Sequence, residues 1–203
     1  RARSGFVRRM VGAGEEDFLV GVVGRLAPVK RPELAIQVFE MLAQRYPKLH
    51  LVYIGDGALW GDLARRIQNG SEAVKERVHM IGSQANMVAV MSDLDGVLLT
   101  SSNEGAPVCL LEAAASGLPV VASSVGGVPE VVAHERTGWL GEGVDDWAFG
   151  LDQYLQDERL ARESGQRARV KVGKRHGAEA LADRLEAVYS GVLAGTSKVQ
   201  VAP

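Results

Sequence analysis

The sequence predicts an α/β fold in which a doubly wound parallel sheet of about six strands carries helices on both faces. Short apolar runs, typical of strands buried on both faces, alternate with stretches of helical periodicity. The links between them are short and contain glycine or proline. The composition, with 46% hydrophobic and 24% charged residues among 203, is that of a folded globular domain. Alternation of this kind builds parallel sheets.

The predicted elements follow one another regularly. The first strand covers residues 18–24, a β-branched run that Gly24 stops, and the first helix runs from Pro32 until Pro47 ends it. Further strands are predicted at 49–54, 78–81, 96–100, 119–123 and 137–140. Further helices are predicted around 59–69, 87–91, 108–116, 126–133, 145–172 and 177–193.

The two ends of the chain lack this pattern. Residues 1–17 are basic, then glycine-rich, then acidic, and are predicted to be a lead-in or interdomain linker. Residues 18–195 form the predicted domain, and residues 196–203 a flexible tail. Because the first residue is Arg1 rather than Met, we expect the sequence to be a piece of a longer one.

Charge and cysteine content exclude several classes of protein. Lys plus Arg number 23 against 25 Asp plus Glu, so there is no basic excess for binding nucleic acid. The single cysteine, Cys109, allows no internal disulfide and favours a reducing, cytoplasmic setting. The apolar runs are far shorter than the roughly 20 residues of a membrane-spanning helix, so no transmembrane segment is expected.

The loop after the first strand carries two cations. Arg25 and Lys30 follow Gly24, and loops at the carboxyl ends of parallel strands are where such sheets bind ligands. Two cations there suit a diphosphate, because each charge-assisted hydrogen bond contributes roughly 1.5–3 kcal/mol. The alternative is that both are ordinary solvated loop charges.

A second loop, after the strand at 96–100, carries a carboxylate. Glu104 is expected beside the crevice beyond the carboxyl ends of the strands. Glu112, in the second turn of the following helix, is expected to lean back toward the same crevice. The first turn, near Val108 and Cys109, offers free N–H groups to an anion. Together with the cations this predicts a sugar-nucleotide site, the alternative being a helix-start acid and a solvated helix residue.

The longest motif resembles the signature of the family-4 retaining glycosyltransferases. Residues 95–123 read DGVLLTSSNEGAPVCLLEAAASGLPVVAS and include that family's pair of glutamates separated by seven residues, Glu104 and Glu112. The segment 23–26 with Lys30 is similar to the family's diphosphate loop, and residues 126–132 and 137–140 are similar to its downstream blocks.

This resemblance implies half of a GT-B fold, the Rossmann-like, C-terminal donor-binding domain. It implies that Arg25 and Lys30 hold the donor diphosphate, that Glu104 contacts the sugar hydroxyls, and that Glu112 contacts the ribose hydroxyls. Glu104, Arg25 and Lys30 would be the catalytic residues. The remaining donor-binding positions would be Gly24 beside the diphosphate, Ile81 and Gly82 along the base, and the stretch Gly105, Ala106, Pro107, Val108 and Cys109, in which every residue except Pro107 has a backbone N–H group to offer.

The same resemblance implies a metal-independent retaining hexosyltransferase that uses a UDP- or GDP-sugar in glycan biosynthesis and needs no cofactor. Its partner would be a missing N-terminal acceptor-binding domain, so we expect this chain alone to bind donor without turnover. The full-length enzyme would be cytoplasmic, and a peripheral contact of the missing domain with the inner face of a membrane is left open. A GT-B sugar-nucleotide epimerase and a non-catalytic nucleotide-binding or partner-binding domain remain alternatives.

Two residues depart from the family pattern. Arg31 follows Lys30 where the family usually has glycine, which is expected to add charge, and Ala106 stands where an aromatic residue is frequent, which leaves the sugar undetermined. The Asp93-Leu94-Asp95 triplet resembles a metal-chelating motif but precedes its strand, at the wrong end for a ligand, so no metal site is expected.

Overall fold

Six parallel strands, in a computed structural model that describes residues 2–193 apart from the side chains of 178 and 179, form one sheet in the order β3-β2-β1-β4-β5-β6. The strands are β1 Phe18–Val23, β2 Leu49–Ile54, β3 Val78–Met80, β4 Gly96–Leu99, β5 Val120–Ser123 and β6 Trp139–Gly141. The predicted doubly wound α/β fold is therefore confirmed.

Helices cover both faces of this sheet. They are α1 Phe6–Val11, α2 Pro32–Leu42, α3 Trp60–Gln68, α4 Glu72–Arg77, α5 Met87–Asp93, α6 Val108–Ala115, α7 Val128–Val131, α8 Val144–Gln156, α9 Glu158–His176 and α10 Ala178–Leu193, with a 3₁₀ turn at Pro28–Lys30. None of the described helices is long and apolar enough to cross a membrane.

The strand order reverses between β1 and β4. The chain moves outward from β1 through β2 to β3, then returns to β4 on the other side of β1. These neighbours run parallel, with Val20 opposite Gly96 and Gly21 opposite Val97. The loops that follow β1 and β4 therefore leave the sheet side by side at its carboxyl edge, where such sheets bind ligands.

Each face of the sheet has its own hydrophobic core. One core packs Ile36 and Phe39 of α2 with the buried Trp147 of α8. The other packs Leu110 and Ala113 of α6 against the opposite face. Each fully buried large apolar side chain stabilises the fold by about 1.5–3 kcal/mol. The β1 and β4 loops, which border a crevice at the carboxyl edge of the sheet, are therefore attached to well-packed layers.

The segment before β1 contains a helix, α1, that the sequence analysis does not predict. The two Asp93 carboxylate oxygens accept hydrogen bonds from the N–H groups of Gly5 and Val7, both at 2.7 Å. Burial opposes ionisation of this carboxyl, but the backbone donors prevail and lower the pKa of Asp93. Arg8, only 2% exposed, pairs with Asp95. The two aspartates thus secure α1 at the amino side of the sheet.

Other boundaries differ from the predictions for local reasons. The helix predicted over 145–172 is wrong as a single element, because the Asp157 carboxylate accepts the N–H groups of Arg159 and Leu160 and begins a new helix. Helix α4 was not predicted, although Ser71 caps it by accepting the N–H of Val74. The helix predicted at 126–133 contracts to the single turn of α7. The tail predicted at 196–203 lies outside the described residues.

Candidate functional site

The loop after β1 places Arg25 and Lys30 at the carboxyl edge of the sheet. The buried Leu26 anchors this loop, and its N–H donates to the carbonyl of Asp56 at 2.9 Å. The Arg25 side chain is exposed and forms no hydrogen bond or ion pair with the part of the chain that the structure describes. Its guanidinium group is therefore available to an anion.

Lys30 reaches across the strand-order reversal to Glu104. Its Nζ donates to Oε1 of Glu104 at 2.6 Å, and the Ser101 hydroxyl donates to the same oxygen at 2.6 Å. Glu104 is 9% exposed, and buried polar groups of this kind are stabilised by hydrogen-bond partners. Within residues 2–193 the other oxygen, Oε2, accepts no hydrogen bond, which leaves it available to a ligand hydroxyl.

Backbone contacts join the two loops. The Thr100 hydroxyl bonds to the carbonyls of Lys30 at 3.0 Å and of Arg31 at 2.9 Å. The N–H of Ser102 donates to the carbonyl of Val29 at 2.8 Å. Arg31 does not add a free charge to the crevice, contrary to the expectation, because its guanidinium group binds carbonyl oxygens at the end of β4.

Two glycines after β5 support the Glu104 loop from the other side. The N–H of Gly127 donates to the Glu104 carbonyl at 3.0 Å. A Cβ built on Gly126 would lie 1.9 Å from the Glu104 carbonyl oxygen, and one on Gly127 would lie 1.9 Å from that of Gly105. Only glycine allows this approach, which gives a physical reason for the Gly126-Gly127 pair.

Helix α6 presents an open N-terminus to the crevice. It begins at Val108 after Pro107, and no described side chain caps it. The N–H groups of Val108 and Cys109 donate to no described residue, so they remain available beside the positive end of the helix dipole. Burial raises the pKa of the Cys109 thiol to about 11, which keeps it protonated at neutral pH.

The other predicted donor-binding residues lie around this centre. Glu112, half-buried in the second turn of α6, forms no side-chain hydrogen bond or ion pair with residues 2–193. Ile81 and Gly82 directly follow β3. The carbonyl of Ile81 accepts a hydrogen bond from the Gln84 side chain at 2.7 Å, and that of Gly82 accepts one from the Gly55 N–H at 3.0 Å. The remaining predicted residues, Gly24, Gly105, Ala106 and Pro107, lie in the β1 and β4 loops.

The sequence analysis assigned no functional role to three parts of the site. Ser101 holds Glu104, Arg31 joins the two loops, and the glycine pair at 126–127 supports them. Ser101 stands three residues before Glu104, a spacing that could have indicated it. The signal for Arg31 was the glycine that the resembled family usually has at this position, since glycine favours a left-handed backbone.

Asp93 and Asp95 do not belong to this site. Both contact the α1 region at the opposite edge of the sheet. Among the residues that the structure describes, no three His, Cys, Asp or Glu side chains form a group that could hold a metal ion.

Comparisons with known proteins give consistent matches. A family model described as "Glycosyl transferases group 1" matches residues 6–171. N-acetyl-alpha-D-glucosaminyl L-malate synthase of Bacillus anthracis is 31% identical over 192 residues, which cover 92% of this chain and 49% of that protein. D-inositol 3-phosphate glycosyltransferase of Corynebacterium aurimucosum is 32% identical over 197 residues, which cover 92% of this chain and 46% of that protein. The chain thus spans about half the length of these relatives.

Solved structures resemble the chain in the same way. Anabaena Alr3699/HepE in complex with UDP-glucose superposes with a TM-score of 0.80 at 26% identity, over 92% of this chain and 52% of that one. The C-terminal domain of the group 1 family protein LpcC from Francisella tularensis superposes with a TM-score of 0.73 at 24% identity, over 79% of this chain and 87% of that one. The second likeness shows the fold alone.

Proposed function

The chain belongs to the group 1 glycosyl transferase family, as its motifs indicated, and on that premise we propose that it is the donor-binding half of a retaining GT-B glycosyltransferase. Its ligand would be a nucleotide diphosphate sugar with UDP or GDP as the nucleotide. The observation that carries the proposal is the Lys30–Glu104 pair, 2.6 Å apart where the strand order reverses, beside the open N-terminus of α6. The Anabaena relative in complex with UDP-glucose supports this ligand class.

The donor diphosphate would lie between the cations and the helix. Arg25 and Lys30 supply charge from the β1 loop, and the N–H groups of Val108 and Cys109 supply hydrogen bonds from α6. During transfer the bond between the anomeric carbon and the diphosphate oxygen breaks, and its electrons pass to the diphosphate. Preorganised donors at that oxygen stabilise the growing negative charge. In other folds a bound cation stabilises this negative charge. The proposal therefore needs no metal and no cofactor.

The carboxylates would recognise hydroxyl groups. Glu104 offers its free oxygen to the sugar, because Lys30 and Ser101 hold the other oxygen. Glu112, half-buried and unpaired among residues 2–193, would accept the ribose hydroxyls. The backbone of Gly105, Ala106 and Pro107 would line the sugar, and that of Ile81 and Gly82 the base. Gly24 would leave room for the diphosphate.

The acceptor would bind elsewhere in a longer enzyme. The chain spans about half the length of its curated relatives, so an acceptor-binding domain would complete the active site. The sugar would then pass to an acceptor hydroxyl with its anomeric configuration retained. On its own, the present chain would bind donor without turnover.

Thermal unfolding and calorimetry with UDP, GDP, ADP and UDP-glucose test this function. We expect a nucleoside diphosphate to raise the unfolding midpoint, because a ligand at 100 times its Kd stabilises the native state by about 2.7 kcal/mol. Binding should persist in EDTA. The Arg9→Ala variant, which removes an exposed arginine of α1, should bind as the wild type does. Absence of binding by all four nucleotides would contradict the proposal.

A further inference from the structure

Arg31 has a backbone conformation that arginine rarely adopts. Among residues 2–193, the non-glycine residues with positive φ are Arg31, at φ 44°, and Glu135, at φ 58°. With ψ at 51°, Arg31 lies in the left-handed region, where the Cβ of an L-residue crowds the backbone. Glycine would occupy this position without strain. An arginine kept here needs a compensating contact.

The Arg31 side chain makes that contact with the opposite loop. Its Nε donates to the carbonyl of Thr100 and its Nη2 to that of Ser101, both at 2.9 Å. The guanidinium carbon lies 5.7 Å from the ring centre of Trp147, a fully buried residue of α8. The group is thus fixed by two hydrogen bonds and a cation–π contact.

The two carbonyls belong to the residues that lead to Glu104. Ser101 also donates its hydroxyl to Glu104, and Thr100 returns its own hydroxyl to the carbonyls of Lys30 and Arg31. Lys30 immediately precedes Arg31 and pairs with Glu104. The guanidinium group therefore binds the backbone of the segment that leads to Glu104, and it belongs to the residue that follows Lys30.

We propose that Arg31 is a positioning residue whose guanidinium group holds the β1 and β4 loops together, so that Lys30 and Glu104 are set for the donor diphosphate before it binds. The inference rests on the proposed function and deepens it. Arg31 touches neither diphosphate nor sugar and acts through its neighbours. Lysine could not replace it, because a single ammonium group lacks the planar pair of donors that meets two successive carbonyls.

Removal and chemical replacement of the guanidinium group test this role. Arg31→Gly relieves the backbone strain and leaves a slot, the space between the β1 and β4 loops that the guanidinium group occupies in the wild type. We expect its Kd for UDP to rise about tenfold, and free guanidinium at millimolar concentration to restore most of the affinity. Arg31→Lys should bind UDP about as weakly as Arg31→Gly. The same guanidinium should not improve binding by the wild type, and urea at matched concentration should restore nothing.

Glu135→Gly is the matched control. It relieves the same left-handed strain in an exposed loop that precedes β6 at the amino edge of the sheet, so it should leave the Kd for UDP unchanged. Wild-type affinity in Arg31→Gly or in Arg31→Lys would overturn the inference, and so would a loss that guanidinium fails to restore.

A second readout separates this inference from the proposed function. Guanidinium should raise the thermal unfolding midpoint of Arg31→Gly, because it fills the slot of the native state, and should lower that of the wild type. This comparison needs no nucleotide. A wild type that binds no nucleoside diphosphate contradicts the proposed function, whereas a midpoint of Arg31→Gly that falls with guanidinium contradicts the bridging role of Arg31.

Discussion

The ammonium nitrogen of Lys30 lies 2.6 Å from Oε1 of Glu104, although the two residues are 74 positions apart in the chain. The carboxylate is buried, and the lysine side chain is 26% exposed, so the pair faces the crevice through the lysine. Each charge is compensated by the other. Arg25 and the start of α6 therefore add to the positive potential that Lys30 retains beside this carboxylate.

This pairing predicts different effects for the two cations. Arg25→Ala and Lys30→Ala should each weaken UDP binding more than about tenfold, or 1.4 kcal/mol. Only Lys30→Ala should also lower the free energy of unfolding, by about 1–3 kcal/mol, because it leaves the buried Glu104 carboxylate with Ser101 alone. Calorimetry and urea denaturation measure the two quantities.

A double-mutant cycle tests whether Lys30→Ala lowers the free energy of unfolding because it breaks the pair with Glu104. Glu104→Gln removes the buried charge, so adding it to Lys30→Ala should cost less stability than adding it to the wild type. Strictly additive free energies would show that the 2.6 Å contact does not stabilise the fold.

The two glutamates should differ in catalysis. In an enzyme that contains both halves, Glu104→Gln should lower kcat more than Glu112→Gln does, because Glu104 would contact the transferred sugar and Glu112 the ribose. Steady-state kinetics with the natural donor separate kcat from KM. Wild-type kcat in Glu104→Gln would remove the catalytic role assigned to this residue.

Gly127 should tolerate no side chain. Its φ of −79° suits alanine, so the effect of Gly127→Ala would come from the Cβ placed 1.9 Å from the Gly105 carbonyl oxygen. We expect a loss of about 1–3 kcal/mol of stability from the forced backbone shift, with weaker UDP binding. Gly173→Ala is the comparison, since its Cβ meets no atom within 4 Å in helix α9, and it should stabilise by about 0.5–1 kcal/mol. Equal stability of the two variants would refute the steric argument.

A histidine pair at the amino edge predicts sensitivity to acid. His50 Nδ1 and His79 Nε2 lie 3.1 Å apart, with stacked rings. Burial, together with the smaller effect of the charge on His50, lowers the pKa of His79 from 6.5 to about 4. Burial also lowers the pKa of His50, helped by Arg77 and Arg8 and opposed by Asp17.

The direction in which stability changes with pH follows from proton uptake by the two histidines. Between pH 6.5 and about 4 the unfolded chain binds more protons than the folded one, so stability should fall as the pH is lowered through that range. Urea denaturation at several pH values should show a shallower fall in His79→Gln. His134→Gln, which removes a histidine outside this pair, should keep the wild-type dependence; identical slopes in all three proteins would count against the pair.

The sheet could be predicted well because each strand is a short apolar run with a sharp end. Local patterns fail where distant residues decide the structure. The six residues of α1 are too few to be stable alone, and the donors at its start are satisfied by Asp93, far along the chain. The break at Asp157, by contrast, had a local signal, because aspartate is a preferred residue at helix starts.

The site could be predicted only in part for the same reason. Alternation of strands and helices places Lys30 and Glu104 on one edge of the sheet, but it does not show that they touch. Their contact depends on Ser101 and on the closeness of the β1 and β4 loops. Arg31 is read from the sequence as extra charge in the crevice. The family's usual glycine at this position indicates a left-handed backbone, but it does not show which carbonyls the arginine side chain binds.

The separate cores on the two faces of the sheet bear on how such a protein can diversify. The β1 loop leads into α2, which is rooted in one layer, and the β4 loop leads into α6, which is rooted in the other. Mutations that change the β1 loop need not disturb the core beneath the β4 loop, and the reverse also holds. Selectivity for a new donor could therefore evolve through one loop at a time, with little loss of folding stability.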